Sequence, residues 1–570
     1  MNCFKVIVFL HCLLFIFSCG HKHAQPSPEV VSGLNLKKGP VISCSPGGDE
    51  FGIVHFNDIN YNNEIKSKLN TAIALLHSFE YDEAEKAFAD IIELQPDCAL
   101  AYWGVAMSNF HPLWEPPSPA DLAKGAKAVA IAQSIRQKSV QETGFINAVA
   151  AYYKNWQQTD PKTRNLQFEK AMGQLHQQHP KDIEATLFYT LALDAAADPG
   201  DKTLSRQKKA GQLLDSLYKN NPDHPGIVHY IIHTYDYPAL AAKGLDAARR
   251  YAKVAPASAH ALHMPSHIFT RLGLWDDCIQ SNIQSVNAAK CYAQATGIKG
   301  HWDEELHGLD YLVYAYLQKA DDKAAMDQLD YLKTFTTVQP INFKTAYSFA
   351  AIPSRIALEN KNWQQAARLS LLPANYPWNK FPWQEAMLHF ARLLGAAHIN
   401  DLKAANIELR KLQQLRDTLQ NQGDVYKTKQ VAIQVKAGEA WIKFASGDKS
   451  TALQYMSMAA AMEDSTTKHP VTPGELLPAK EQYADMLLEI KQYKQALQAY
   501  EEALQKSPNR WNSLHGAATA AEKYGDTSRA ALYYGQLIKI TAPRSARPVL
   551  QIAKLYLNKS SYAIHKTGSY

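Results

Sequence analysis

The 570-residue chain contains no C-x-x-C pair, no H-E-x-x-H, no G-x-S-x-G elbow and no Walker or Rossmann glycine pattern. These absences remove thiol-redox, zinc-ribbon, zincin-protease, serine-hydrolase and nucleotide-binding readings. It also lacks blocks of like charge. Its 60 basic and 54 acidic residues leave a formal charge of +6, thinly spread, which argues against a nucleic-acid partner. With 46% hydrophobic residues, its 27 glycines and 28 prolines are too few for a disordered chain. Past the first residues, no run is long and apolar enough to span a bilayer. Cysteine is scarce as well: seven in all, with Cys3, Cys12 and Cys19 in the leader. Cys44, Cys98, Cys278 and Cys291 read either as buried thiols or as disulfide partners. In the second case Cys44 is placed to staple the N-terminal extension to Cys98 in the first repeat.

The leader has a small basic start at Lys5 and an apolar core from Val6 to Phe17, the pattern of an export signal over residues 1–18. Ile16-Phe17-Ser18-Cys19-Gly20 resembles a bacterial lipobox, although Phe17 is bulkier than the residue usual there. That resemblance implies lipidation at Cys19 and a membrane anchor in the cell envelope; the alternative is an ordinary signal peptide with a chance cysteine. Residues 19–62 read as a tether and N-terminal extension, rich in Pro, Gly and Ser from Gln25 to about Asn62, with a short ordered patch at Phe51–Phe56. His21 and His23 lie too near the anchor to belong to a folded site.

From residue 63 onward the pattern is helical, and the length calls for several domains or a stack of repeats. Ala84, Phe88, Ile91 and Pro96 recur at the same offsets as Ala496, Tyr500, Ala503 and Pro508. A third copy is Ala530, Tyr534 and Leu537, with Pro543 one place late. Ala72, Ala484 and Ala518 stand twelve residues before each leading alanine. This is the small–large spacing of a 34-residue helical hairpin repeat, in which an aromatic fills the gap and a proline ends the second helix. The pattern predicts an all-α solenoid. It has an N-terminal unit at 63–114, degenerate helical repeats at 115–440, C-terminal units at 441–545 and a last helix and tail at 546–570. Weaker copies lie around Phe269, Cys278 and Asn282, with a Gly-Leu-Trp turn, and around Gly447 and Ala452.

The segments HPGIVHYIIHTYD (His224 to Asp236), APASAHALHMPSHIFTRLG (Ala255 to Gly273) and HPVTPGELLPAKEQYADMLLE (His469 to Glu489) resemble a family of exported bacterial tetratricopeptide-repeat proteins. The likeness spans nearly the whole mature chain and is sharpest at the histidine motifs. It implies the repeat fold and export, and it implies no activity.

Eight of the 21 histidines fall between His224 and His307, where even spreading would put about three. His229 and His233 share one i, i+4 spacing, and so do His263 and His267. Each pair therefore lies on one helix face, the two pairs one repeat apart. His260, His263 and His267 share a face if the helix runs through Pro265. Glu304 and His307 add an i, i+3 pair of the kind used in di-metal bundles. These residues form a candidate site for zinc, copper or iron. Against it stands hydrogen bonding across repeats, with Tyr230, Tyr235 and Asp236 as partners. His111, His389, His398 and His515 read as packing or surface residues. Composition and fold favour a binding scaffold that holds a protein, peptide or small ligand on its concave surface; a metal-binding protein or metal-dependent enzyme is the alternative.

Overall fold

The computed structural model describes residues 25–45, 51–56, 61–113, 116–467 and 469–567, with side chains as far as 559. The signal segment, Cys19, His21 and His23 lie outside these residues. From Asn63 to Thr567 the chain is an all-α tetratricopeptide-repeat solenoid of antiparallel helix pairs. Among the described residues the only strands are His301–Trp302 and Val338–Gln339, which pair in parallel. No described helix is long and apolar enough to cross a membrane.

The repeat spacing has a direct packing cause. Helices Asn63–His77 and Tyr81–Leu94 form the first pair, with Ala72 and Ala84 fully buried between them. The Phe88 ring packs onto the next helix at Gly104, where a Cβ would lie 2.2 Å from it. Tyr500 meets Gly516 at the same offset, and a Cβ there would again lie 2.2 Å from the ring. Absence of a side chain is what lets these helices approach. The Gly-Leu-Trp turn separates helices Pro265–Leu272 and Trp275–Thr296, with Gly273 at φ +64° as a left-handed cap. Gly447, at φ +92°, plays that part between Val425–Ala445 and Lys449–Asp464.

The superhelix curls until distant repeats touch. The Ser258 hydroxyl donates to Glu80 at 2.6 Å and Tyr292 to Glu83 at 2.7 Å, joining the first repeat to the histidine region. On the other side the Trp275 indole donates to the Asn509 carbonyl at 2.8 Å, and Arg510 pairs with Glu481 and Glu359 while fully buried. The central histidines therefore lie in the interior, where the curl closes, and not on an open concave face.

Two expectations about the N-terminal extension change. Residues 25–45 form a packed strap, not a loose tether. Leu34 is buried, and the Lys37 and Ile42 amides donate to Glu85 and Glu83 at 2.8 Å each. Phe51, Val54 and Phe56 are also buried. Cys44 forms its disulfide with Cys291 on helix Trp275–Thr296, not with Cys98. Cys98 is a free thiol at the start of helix Ala99–Ser108, and burial pushes its pKa up to about 12. The strap passes over the first repeat and is fastened on the far side of it, which local spacing does not reveal.

Candidate histidine centre

Helix Pro225–Tyr235 begins with proline at its first turn, where the missing N–H goes unmissed, and carries His229 and His233 one turn apart. Gly226 lies against the His77 ring, 2.6 Å from where its Cβ would stand, so glycine brings this helix onto helix Asn63–His77. Short helix Ala259–His263 is capped by Ser258, and Pro265 starts a second helix rather than extending the first. His263 and His267 stay together across that step, and the shared face divides instead between His260 and His263, which lie on the same short helix. His260 turns to His229 and His233, while His263 and His267 turn to His307 on helix Asp303–Gln318.

Two triads of imidazoles result. In the first, the Nε2 atoms of His233 and His260 lie 3.1 and 3.2 Å from Nε2 of His229. In the second, Nε2 of His263 and His267 are 3.1 Å apart, and the His263 and His307 rings lie 4.2 Å centre to centre. Within each triad one nitrogen per residue lies within 4.8 Å of the others. Metal–nitrogen bonds of about 2.0–2.1 Å in a tetrahedron place ligand nitrogens about 3.3–3.4 Å apart, close to these separations. The triads adjoin: His233 and His267 have ring centres 6.4 Å apart.

In three of the six imidazoles the opposite ring nitrogen is held by an acceptor. Nδ1–H of His229 donates to the His77 carbonyl at 2.5 Å. Nδ1–H of His267 donates to Asp236 at 3.0 Å, and the other oxygen of Asp236 accepts from Arg271 at 2.9 Å. Asn282 donates its amide N–H to the Cys278 carbonyl, which leaves its oxygen to accept from His263 Nδ1 at 2.7 Å. With both Nδ1 atoms protonated, His263 and His267 point Nε2 lone pairs at one another. Lone pairs 3.1 Å apart repel unless a cation, proton or metal ion, lies between them. Burial, reinforced by neighbouring imidazoles, holds the pKa of His229 and His260 well below the ordinary value, so protons bind poorly there. Acceptors behind neutral imidazoles are the usual support of metal ligands.

A third cluster has different chemistry. Glu184 accepts from His77 Nε2 at 2.7 Å and from His224 Nε2 at 2.9 Å, while His77 Nδ1 meets the Tyr230 hydroxyl at 2.9 Å. Burial alone would raise the Glu184 carboxyl, but the two imidazoles outweigh it and hold it below the usual range. Its nitrogens already face a carboxylate, so this is a hydrogen-bonded support. Through the His77 carbonyl it props up the first triad.

Six of the seven residues marked by the sequence thus meet in the two triads: His229, His233 and His260, then His263, His267 and His307. Glu304 does not join them. At the first turn of its helix it points to Lys344, forming a buried ion pair that Asp303 shares at 2.6 Å. His77, Glu184 and His224 escaped notice as a group; a histidine inside the apolar run Ala72–His77 was the one local hint. Beside His260 opens a cavity of about 980 Å³. Glu80 lines it, and burial raises the Glu80 carboxyl to about 8.

No family model and no curated protein matches the chain. Among solved structures it is similar to yeast Tom70, at 10% identity over 87% of this chain and 96% of that one, with a TM-score of 0.34. The human IFIT1 dimer with PPP-AAAA gives 12% identity over 90% and 99%, with a TM-score of 0.35. The P58(IPK) TPR domain gives 14% over 68% and 100%, with a TM-score of 0.21. At these scores the repeat assignment stands on the helix pairs and gap-filling aromatics of the chain itself.

Proposed function

We propose that this chain is an exported helical-repeat protein, anchored through lipid at Cys19, that holds transition-metal ions in its two histidine triads. The observation that carries this reading is the meeting of six imidazoles in threes, at ligand spacing, with the Nδ1 atoms of His229, His263 and His267 turned to acceptors. Sequence alone puts a scaffold holding a protein, peptide or small ligand on its concave surface first and metal second; the meeting of the histidines in the interior supports putting metal first. Three neutral nitrogens suit zinc, copper or iron and leave a fourth position for water or substrate. An ion held this way supplies Lewis acidity or, for copper and iron, electron transfer.

Titration of metal-free protein with Co(II) tests the reading. Visible ligand-field bands should grow to two equivalents and then stop. Bands that are absent, or that grow without a break, would contradict paired sites. For the anchor, Cys19→Ala should move the protein from the membrane fraction to the soluble one, and unchanged fractionation would refute lipidation there.

A further inference from the structure

Each triad is covered by one aromatic ring, and the two covers differ in what lies beyond them. The Phe79 ring centre stands 4.4, 5.3 and 5.6 Å from those of His229, His233 and His260. The Tyr311 ring centre stands 4.7, 5.1 and 5.5 Å from those of His263, His267 and His307. A ring at similar distances from three imidazoles lies over the triangle they form, so each aromatic closes one side of its triad. Tyr311 is fully buried, its hydroxyl donates to the Val471 carbonyl at 3.3 Å, and all three histidines beneath it are buried. Phe79 instead borders the cavity of about 980 Å³, and His260 borders it too. That volume is at the upper end for small-molecule sites. In the same triad His233 is only half-buried.

Phe79 is also out of keeping with its place in the repeat. It is the second residue past helix Asn63–His77, at φ +58°, in the turn leading to helix Tyr81–Leu94. The corresponding turns of other helix pairs hold Ala320, Lys361, Asn400, Gly447 and Lys491, all at positive φ. Ala320 is small and the other four are exposed. The turn therefore does not require a buried aromatic. Here it carries one that touches three imidazoles and lines a cavity, so a single side chain on a turn, not a helix, stands between the two.

We propose that the triads divide the work. The ion of the first exchanges water for an oxygen or nitrogen donor of a small molecule in the cavity, with Phe79 as the gate. The ion of the second is closed to outside ligands beneath Tyr311. This assignment rests on the metal reading above, and its test separates the two.

Azide titration of the full chain loaded with two equivalents of Co(II) reads the difference. Azide should perturb the visible bands of one cobalt ion, leave those of the other unchanged and saturate at one azide per chain. The count on the wild type needs no variant. His260→Ala should bind one cobalt fewer and lose the azide response, whereas His307→Ala should bind one fewer and keep it. Phe79→Ala, with cobalt stoichiometry unchanged, should speed azide binding about tenfold in stopped flow. Two cobalt ions that both respond, or both ignore azide, would overturn the division. An azide rate indifferent to Phe79→Ala would overturn the gate. Uptake of no cobalt would overturn the metal reading, and this assignment with it.

Discussion

Single residues decide what the centre can hold. His229 and His267 differ in what lies behind them: a backbone carbonyl for the first and the Asp236 carboxylate for the second. A carboxylate behind an imidazole raises its basicity and offsets part of a metal ion's charge in a buried site. Asp236→Asn keeps the shape and removes that charge. It should lower metal affinity of the second triad about 10–100-fold, the usual effect of such partners, and leave the first triad unchanged. Competition against a chromophoric chelator measures this, with helix content checked because Arg271 also loses a partner. Equal affinity for wild type and variant would show that the contact is only packing.

At the scale of elements, the repeat pairs were legible and the histidine geometry only partly so. Ala84, Phe88 and Ala496, Tyr500 could be read because each packs against its nearest helices, so the requirement recurs at fixed offsets. Gly104→Ala tests that packing. Its Cβ would lie 2.2 Å from Phe88, so the variant should lose about 1–3 kcal/mol of stability by overpacking. Chemical denaturation measures it, and wild-type stability would disprove the close approach. The i, i+4 pairs were equally visible. Their division into triads was not, since it depends on which neighbouring helix each imidazole meets: His260 meets Pro225–Tyr235 and His263 meets Asp303–Gln318. Glu304 misled because i, i+3 spacing with His307 fixes a helix face only roughly, and Lys344, 40 residues on, draws it away. The Glu184 support joins residues 107 apart in sequence and leaves no local pattern.

At the scale of the molecule, the curl of the solenoid turns a surface pattern into an interior site. Contacts from the first repeat through Glu80 and Glu83, and from the C-terminal repeats through Asn509 and through Arg510 to Tyr314, enclose the histidine helices from two sides. The strap ending at the Cys44–Cys291 disulfide closes a third. This enclosure removes water from the imidazoles and, at His229 and His260, disfavours the protonated form, which leaves those nitrogens to a metal ion rather than to protons. The most direct measurement is elemental analysis by inductively coupled plasma mass spectrometry on untagged protein, beside the His233→Ala, His267→Ala double variant. Two equivalents of one transition metal in the wild type, falling to none in a variant of unchanged helix content, are predicted. A wild type that holds no metal even after reconstitution, or a double variant that keeps its full complement, would contradict the metal centre.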